Sequence, residues 1–192
     1  MNTAEERSNR IVQAAIELFE KQGMGGTTME EIAQSASVTR RTLYRYFASK
    51  EDILRAAAEN HSFTVIEKMT REVDDSLPFL DYLTECILYI VYSVPEEPFY
   101  RVQSQADVGK GSRYLYFTSP ALLERWLQCF LDKYIDALRA REVNPRLELG
   151  TIVSWVGRVS FSFLEHPNPG QSRENLKQEI NDYFVNALRY DS

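Results

Sequence analysis

The sequence predicts an all-α protein of about nine helices. Apolar residues recur at i, i+3, i+4 and i+7 through most of the chain. Glycine and proline fall mainly between those runs, and stretches of period-two alternation are scarce.

The first helix spans about Thr3 to Gln22, with Ile11, Ala14, Ala15, Leu18 and Phe19 along one face, and Gly23, Gly25 and Gly26 break it. Thr28 reads as an N-cap, and Glu31, three residues on, completes a capping box for a helix that carries Ile32 and Ala33 and fails by Ala36-Ser37. Thr39 caps a short helix ending near Phe47. Ser49, with Asp52 at the box position, caps a fourth helix that reaches Glu72 or beyond. Phe79 to Ser93 is apolar on most sides, which predicts burial. A short helix over Glu96 to Asp107 is stopped by Gly109-Lys110-Gly111. Ser119-Pro120 pairs a cap with a proline at the first helical position. Leu123, Trp126, Leu127, Phe130, Tyr134, Ile135 and Leu138 form the stripe of the helix it opens, which Asn144-Pro145 ends. Leu147 to Leu164 is another nearly all-apolar helix, and His166 to Gly170 is a proline-containing loop. Leu176, Ile180, Phe184 and Leu188 mark a last amphipathic helix over Ser172 to Tyr190.

The densest apolar run, Cys86 to Val91, is far too short to cross a bilayer, so no membrane is expected as a partner. The N-terminus is polar and unlike a secretory signal, and Cys86 and Cys129 have no CxxC spacing. Buried free thiols in a cytoplasmic protein are the expectation. The formal net charge of −6 speaks at first against nucleic acid, but the distribution matters more than the total. Between Ala36 and Lys50 stand Arg40, Arg41, Arg45 and Lys50 with no acid among them. Phosphate attraction is screened over about 10 Å, so one local basic element on an acidic chain can still bind a duplex.

The stretch from Thr28 to Phe47 has the grammar of a helix-turn-helix. Two short helices meeting at a tight angle need a small residue on the first, Ala33, and apolar anchors on the second, Val38 and Leu43. The second helix then presents Arg40, Arg41, Thr42, Tyr44 and Arg45, the residue types that meet base edges and phosphates. Arg40 and Arg41, adjacent and without an acidic neighbour in the segment, call for an anion. Ser37 stands in a turn position where glycine is more comfortable. Tyr44, Tyr46 and Phe47 have a second reading, as an aromatic cluster packing the helix onto the first one.

From Arg10 to Leu54, and most closely over Thr39-Arg40-Arg41-Thr42-Leu43-Tyr44-Arg45-Tyr46-Phe47-Ala48-Ser49-Lys50-Glu51-Asp52, the sequence resembles the TetR family of bacterial transcriptional regulators. The resemblance implies a helix-turn-helix DNA-binding domain over residues 1–52 and a larger helical ligand-binding and dimerisation domain over 53–192. It implies phosphate contacts for Thr28, Tyr44, Tyr46 and Lys50, and base contacts for Thr39, Arg40, Arg41 and Thr42. Leu43 and Phe47 match core-facing positions, and Ser37 replaces the family's turn glycine. It further implies a homodimer through the last two helices on a pseudo-palindromic operator, responsive to a small-molecule effector.

The second half independently offers aromatic residues from Tyr82 to Phe163 that could line a pocket for an apolar or aromatic effector. Tyr89, Tyr92, Gln103, Trp126, Phe130, Trp155 and Arg158 are the candidates. Arg158 reads equally as part of a polar seam or an intersubunit ion pair. An enzyme is the rival class, but His61 and His166 sit in no catalytic or metal-ligating spacing, and Gly23-Met24-Gly25-Gly26 follows a helix rather than a strand. Neither catalysis nor a cofactor or metal is expected. A helical protein-interaction adaptor is the other alternative, and it would leave Arg40, Arg41 and Lys50 without a shared target.

Overall fold

A computed structural model describes residues 3–105 and 119–190, without the side chains of Thr3, Arg101 and residues 103–105. Nine α-helices occupy the described residues: α1 (Thr3–Gly26), α2 (Met29–Ser35), α3 (Arg40–Tyr46), α4 (Lys50–Glu72), α5 (Phe79–Ser93), α6 (Pro98–Gln105), α7 (Pro120–Arg139), α8 (Leu149–Glu165) and α9 (Arg173–Tyr183). Short 3-10 turns cover Val94–Glu96 and Val185–Leu188. No strand occurs among the described residues, only an isolated antiparallel bridge between Val143 and Arg189. The expected interruption at Gly109-Lys110-Gly111 lies outside the described residues.

The chain divides into two compact units, Met1–Ser62 with Glu96–Tyr116, and Phe63–Pro95 with Phe117–Ser192. The first is built on α1. Ile11, Ala15 and Phe19 are buried against Ile32 and Ala33 of α2, Leu43 of α3, Phe47, and Ile53, Leu54 and Ala57 of α4. Phe99 and Val102 of α6 complete the same core. Beside them the His61 ring lies 5.1 Å from that of Phe99, with His61 Nε2 3.8 Å from a Glu97 carboxylate oxygen. Of the three glycines expected to break α1, Gly23 alone leaves helical geometry, at φ 74° and ψ 158°. Gly25 and Gly26 lie in the turn that closes the helix, where the Thr27 hydroxyl donates to the Gly23 carbonyl at 2.8 Å.

The second unit surrounds α5, which buries Phe79, Leu83, Cys86, Ile87 and Ile90 among α7, α8 and α9. Cys86 is fully buried and Cys129 half-buried, both free thiols, and desolvation pushes both above the ordinary thiol range. On α7 the stripe starts at Leu122 rather than Leu123, which is 38% exposed. Trp126, Phe130 and Ala137 follow on the buried face. Leu138 also shows how α7 ends: Arg141 takes φ 56° while the Glu142 amide donates to Ala137 O and the Arg141 amide to Leu138 O. The last helix expected over Ser172 to Tyr190 instead closes at Tyr183. Leu188 then accepts from the Asn144 amide and the Tyr190 amide donates to Glu142 O, so the chain end leaves the helix to pair with the α7–α8 connection.

Candidate nucleic-acid interface

The capping box of α2 forms as expected. The Thr28 amide donates to the Glu31 carboxylate at 2.7 Å, the Glu31 amide to Thr28 Oγ1 at 3.2 Å, and the Thr28 hydroxyl to the same carboxylate at 2.8 Å. These bonds, the amide's first and the hydroxyl's second, hold the Glu31 carboxyl below the usual carboxylate range. The Thr28 hydroxyl is thus both donor and acceptor within the protein.

The turn after α2 explains the odd serine. Ser37 adopts φ 54°, in the left-handed region. The Val38 amide donates to Ala33 O at 2.9 Å and the Ser37 amide to Gln34 O at 3.0 Å, the two bonds of a Schellman ending. Val38, half-buried, packs against the core from just beyond it. The geometry is the one glycine favours, built here on a residue that has a Cβ.

Thr39 caps α3, accepting from the Thr42 amide at 3.1 Å, with the two threonine hydroxyls 2.9 Å apart. Leu43 at 0% exposure and Phe47 at 8% anchor the helix in the core, and Tyr46 is half-buried against it. That leaves Arg40, Arg41, Tyr44 and Arg45 exposed on one short helix. Of the expected aromatic cluster, Phe47 and in part Tyr46 pack inward, whereas Tyr44 faces solvent. The Arg40 guanidinium carbon lies 5.5 Å from the centroid of the Tyr44 ring, and that of Arg45 lies 5.3 Å from Tyr46.

Two sequence expectations change. Arg40 does have an acidic partner: Glu30, from the first turn of α2, places Oε1 2.7 Å from Arg40 Nη1. The pair was hidden because the two residues belong to different helices, which the turn at Ser37 brings together. Arg41 makes no ion pair among the described residues. Lys50 Nζ donates to Met24 O and to Thr27 O, at 2.7 Å each, so the start of α4 is tied to the end of α1. An ammonium has three donors, and one is left over. Ser49 and Asp52 cap α4 reciprocally, the Asp52 amide donating to Ser49 Oγ and the hydroxyl to the carboxylate.

Among the described residues, the candidate effector residues of the second unit fall in three places. Tyr89 and Tyr92 line a cavity of about 280 Å³ in the second unit, together with Glu72, Asp74, Glu85 and Arg173. Trp126 and Phe130, one turn apart on the buried stripe of α7, stack on each other with centroids 5.5 Å apart and belong to the core. Trp155 is 54% exposed on α8, just beyond the Ile152 edge of the buried face, and the Arg158 guanidinium lies 5.9 Å from its ring centroid. The side chain of Gln103 lies outside the described residues. One feature of the cavity wall was missed in the sequence: Glu85 accepts from Arg173 at 2.6 Å and from Lys177 at 2.8 Å, an arrangement spanning α5 and α9.

A core-anchored short helix, set after a left-handed turn and presenting arginines and a tyrosine to solvent, defines a helix-turn-helix DNA-binding protein. Residues 11–57 match the family model of the bacterial regulatory proteins, tetR family. The biofilm operon icaADBC HTH-type negative transcriptional regulator IcaR of Staphylococcus epidermidis is 31% identical over 159 residues, covering 80% of this chain and 84% of its own. The chain belongs to the tetR family and is a helix-turn-helix transcriptional regulator. Among solved structures, a TetR-family regulator from Pectobacterium atrosepticum superposes with a TM-score of 0.69 at 17% identity, covering 98% of both chains. FadR from Bacillus subtilis, solved in complex with stearoyl-CoA, gives 0.59 at 17% identity over 94% of this chain and 98% of that one. At such identities these two likenesses concern the fold. Among the described residues no helix is long and apolar enough to cross a membrane.

Proposed function

We propose that the protein is a ligand-responsive repressor that binds a pseudo-palindromic operator as a homodimer in the cytoplasm and acts by binding, not catalysis. The observation that carries this reading is the exposed face of α3, where Arg40, Arg41, Tyr44 and Arg45 stand clear of a core anchored by Leu43 and Phe47. Thr39, Arg40, Arg41 and Thr42 read base edges. Tyr44, Tyr46 and the remaining N–H of Lys50 meet phosphates, and Thr28 does so by turning its hydroxyl away from Glu31; such contacts fix register without carrying sequence information. The sign of regulation follows the relative named a negative transcriptional regulator.

Residues 1–52 serve DNA binding, and 53–192 pair the chain with its twin through α8 and α9 and bind the effector. The effector is a small apolar or aromatic molecule, and the cavity beside Tyr89 and Tyr92 is where it is to be sought. A relative in fold solved with stearoyl-CoA supports a bound small molecule in such a protein. An isologous dimer sets two recognition helices about one duplex turn apart, so the operator mirrors the two-fold axis.

A gel-shift series tests the interface. Arg41→Ala is expected to cost about 1–3 kcal/mol preferentially on a duplex selected by the wild-type protein. Tyr44→Phe is expected to weaken selected and random duplexes alike, with the salt slope unchanged because a neutral hydroxyl releases no counterion. The opposite sorting would overturn the assignment of base and phosphate contacts, and a protein without salt-dependent duplex binding would overturn the function.

A further inference from the structure

The exposed arginines of α3 are not equivalent. Arg41 carries its charge outward with no carboxylate partner among the described residues. Arg40 is already neutralised: its Nη1 meets Glu30 Oε1 at 2.7 Å, with the two side chains 67% and 54% exposed. The same guanidinium sits 5.5 Å from the centroid of the Tyr44 ring. Carboxylate at one edge and aromatic face alongside leave one orientation favoured for a side chain that otherwise has many. Glu30 is not needed to cap α2, since Glu31 does that with Thr28. Its ring of neighbours is instead the surface proposed to meet DNA.

We propose that Glu30 is a positioning and specificity-determining residue of the DNA-binding surface, acting through Arg40. This rests on the reading of α3 as the recognition helix. The carboxylate cancels the attraction of Arg40 for phosphate, because an internally neutralised cation releases no counterion from the duplex. It does not use up the guanidinium. Arg40 has five N–H donors, and the contact with Glu30 runs through Nη1, so Nε and Nη2 remain for a base edge such as the O6 and N7 of guanine. Phosphates, present beside every sequence, are thereby discounted, while a matched base is still read.

The expected consequence is an inverse one: removing an acid improves binding, but to the wrong DNA. Fluorescence anisotropy is run with a labelled random duplex of about three helical turns, and with a duplex selected by the wild-type protein from a random pool. Glu30→Gln, nearly isosteric and exposed, is expected to bind the random duplex several-fold more tightly than wild type. One added phosphate contact steepens the salt slope by about 0.9, so that advantage shrinks about threefold between 50 and 200 mM salt. The ratio of selected to random affinity narrows several-fold. Glu30→Asp, which keeps the charge, stays nearer wild type on the random duplex than Glu30→Gln does. On an Arg40→Ala background the Glu30→Gln change in salt slope disappears.

The proposal is overturned if Glu30→Gln leaves random-duplex affinity and slope at wild-type values, or if the full change persists without Arg40, which would make it plain charge repulsion. Salt-dependent binding by the wild type with no effect of Glu30→Gln sinks the role of Glu30 alone. A wild type that binds neither duplex sinks the recognition-helix reading and this one with it.

Discussion

Lys50 shows how one side chain can hold a site together and take part in it. Its Nζ bridges the carbonyls of Met24 and Thr27 at the end of α1, so the start of α4 and the loop leading to Thr28 are fixed to each other. Lys50→Met keeps the aliphatic stem and deletes the donors, so the Thr27 carbonyl loses its bond from Lys50 and the Met24 carbonyl keeps only the Thr27 amide at 3.3 Å. Such a loss costs about 1–3 kcal/mol. Urea unfolding followed by far-UV circular dichroism is expected to report that loss with no DNA present; a lysine that served phosphate alone would leave the midpoint unmoved. Ser37 is the converse case. Its φ of 54° is costly for a residue with a Cβ, and its side chain is exposed. Ser37→Gly is therefore expected to stabilise the protein by about 0.5–1 kcal/mol, the relief of left-handed strain exceeding the added unfolded-state entropy. The same denaturation measurement checks it, and an unchanged or lower midpoint would count against the strain.

Helix ends decide where the elements stop and what they present. Gly23 has φ 74° and ψ 158°, a region reserved almost wholly for glycine, and a Cβ there would meet nothing within 4 Å. The cost of Gly23→Ala is thus backbone strain alone, about 1–3 kcal/mol, read as a lowered unfolding midpoint. Between α5 and α9 the link is ionic. Burial raises the pKa of Glu85, but bonds from Lys177 and Arg173 outweigh it, and the net shift is downward. The stabilisation is fully present above the ordinary glutamate pKa of about 4.3 and is lost as pH falls through the lowered value. Thermal melts from pH 6 to pH 3 are expected to show a smaller acid-induced fall for Glu85→Gln than for wild type. These ends also show what the sequence could reveal. Thr28 with Glu31, Thr39 and Ser49 with Asp52 were legible because capping is local chemistry, settled within four residues; Ser119-Pro120 was legible through the proline, since the Ser119 side chain makes no capping bond. The close of α9 was not, because Phe184 continues the apolar spacing of Leu176 and Ile180. What ends the helix is the pairing of Leu188 and Tyr190 with Asn144 and Glu142. Likewise the exposed face of α3 could be read from its residue types, whereas Glu30 against Arg40 and Lys50 against Met24 needed the turn geometry.

A chain of net charge −6 with one short basic face has little to hold it on a polyanion by charge alone. Pairing two such faces supplies what one lacks, since the second contact becomes intramolecular once the first is made. The proposed homodimer would use the last two helices, where large aromatics are exposed. Trp155, 54% exposed, projects from α8 beside Arg158, and Tyr183 at the end of α9 is 85% exposed. Large aromatics left so open on the two last helices are what an isologous contact would cover. Trp155→Glu adds a charge to that face without touching the buried side of α8, where Ile152, Val153 and Val156 hold the helix. The variant is expected to keep its helical circular dichroism and to run as a monomer in size-exclusion chromatography with light scattering. Its affinity for a selected palindromic duplex should fall about a hundredfold or more, the avidity lost when two sites are unlinked. Binding to a single half-site, already weak, should change far less. A Trp155→Glu protein that stays dimeric would move the interface away from this face of α8, and one that turns monomeric while still holding the palindrome at wild-type strength would show that the two heads do not cooperate.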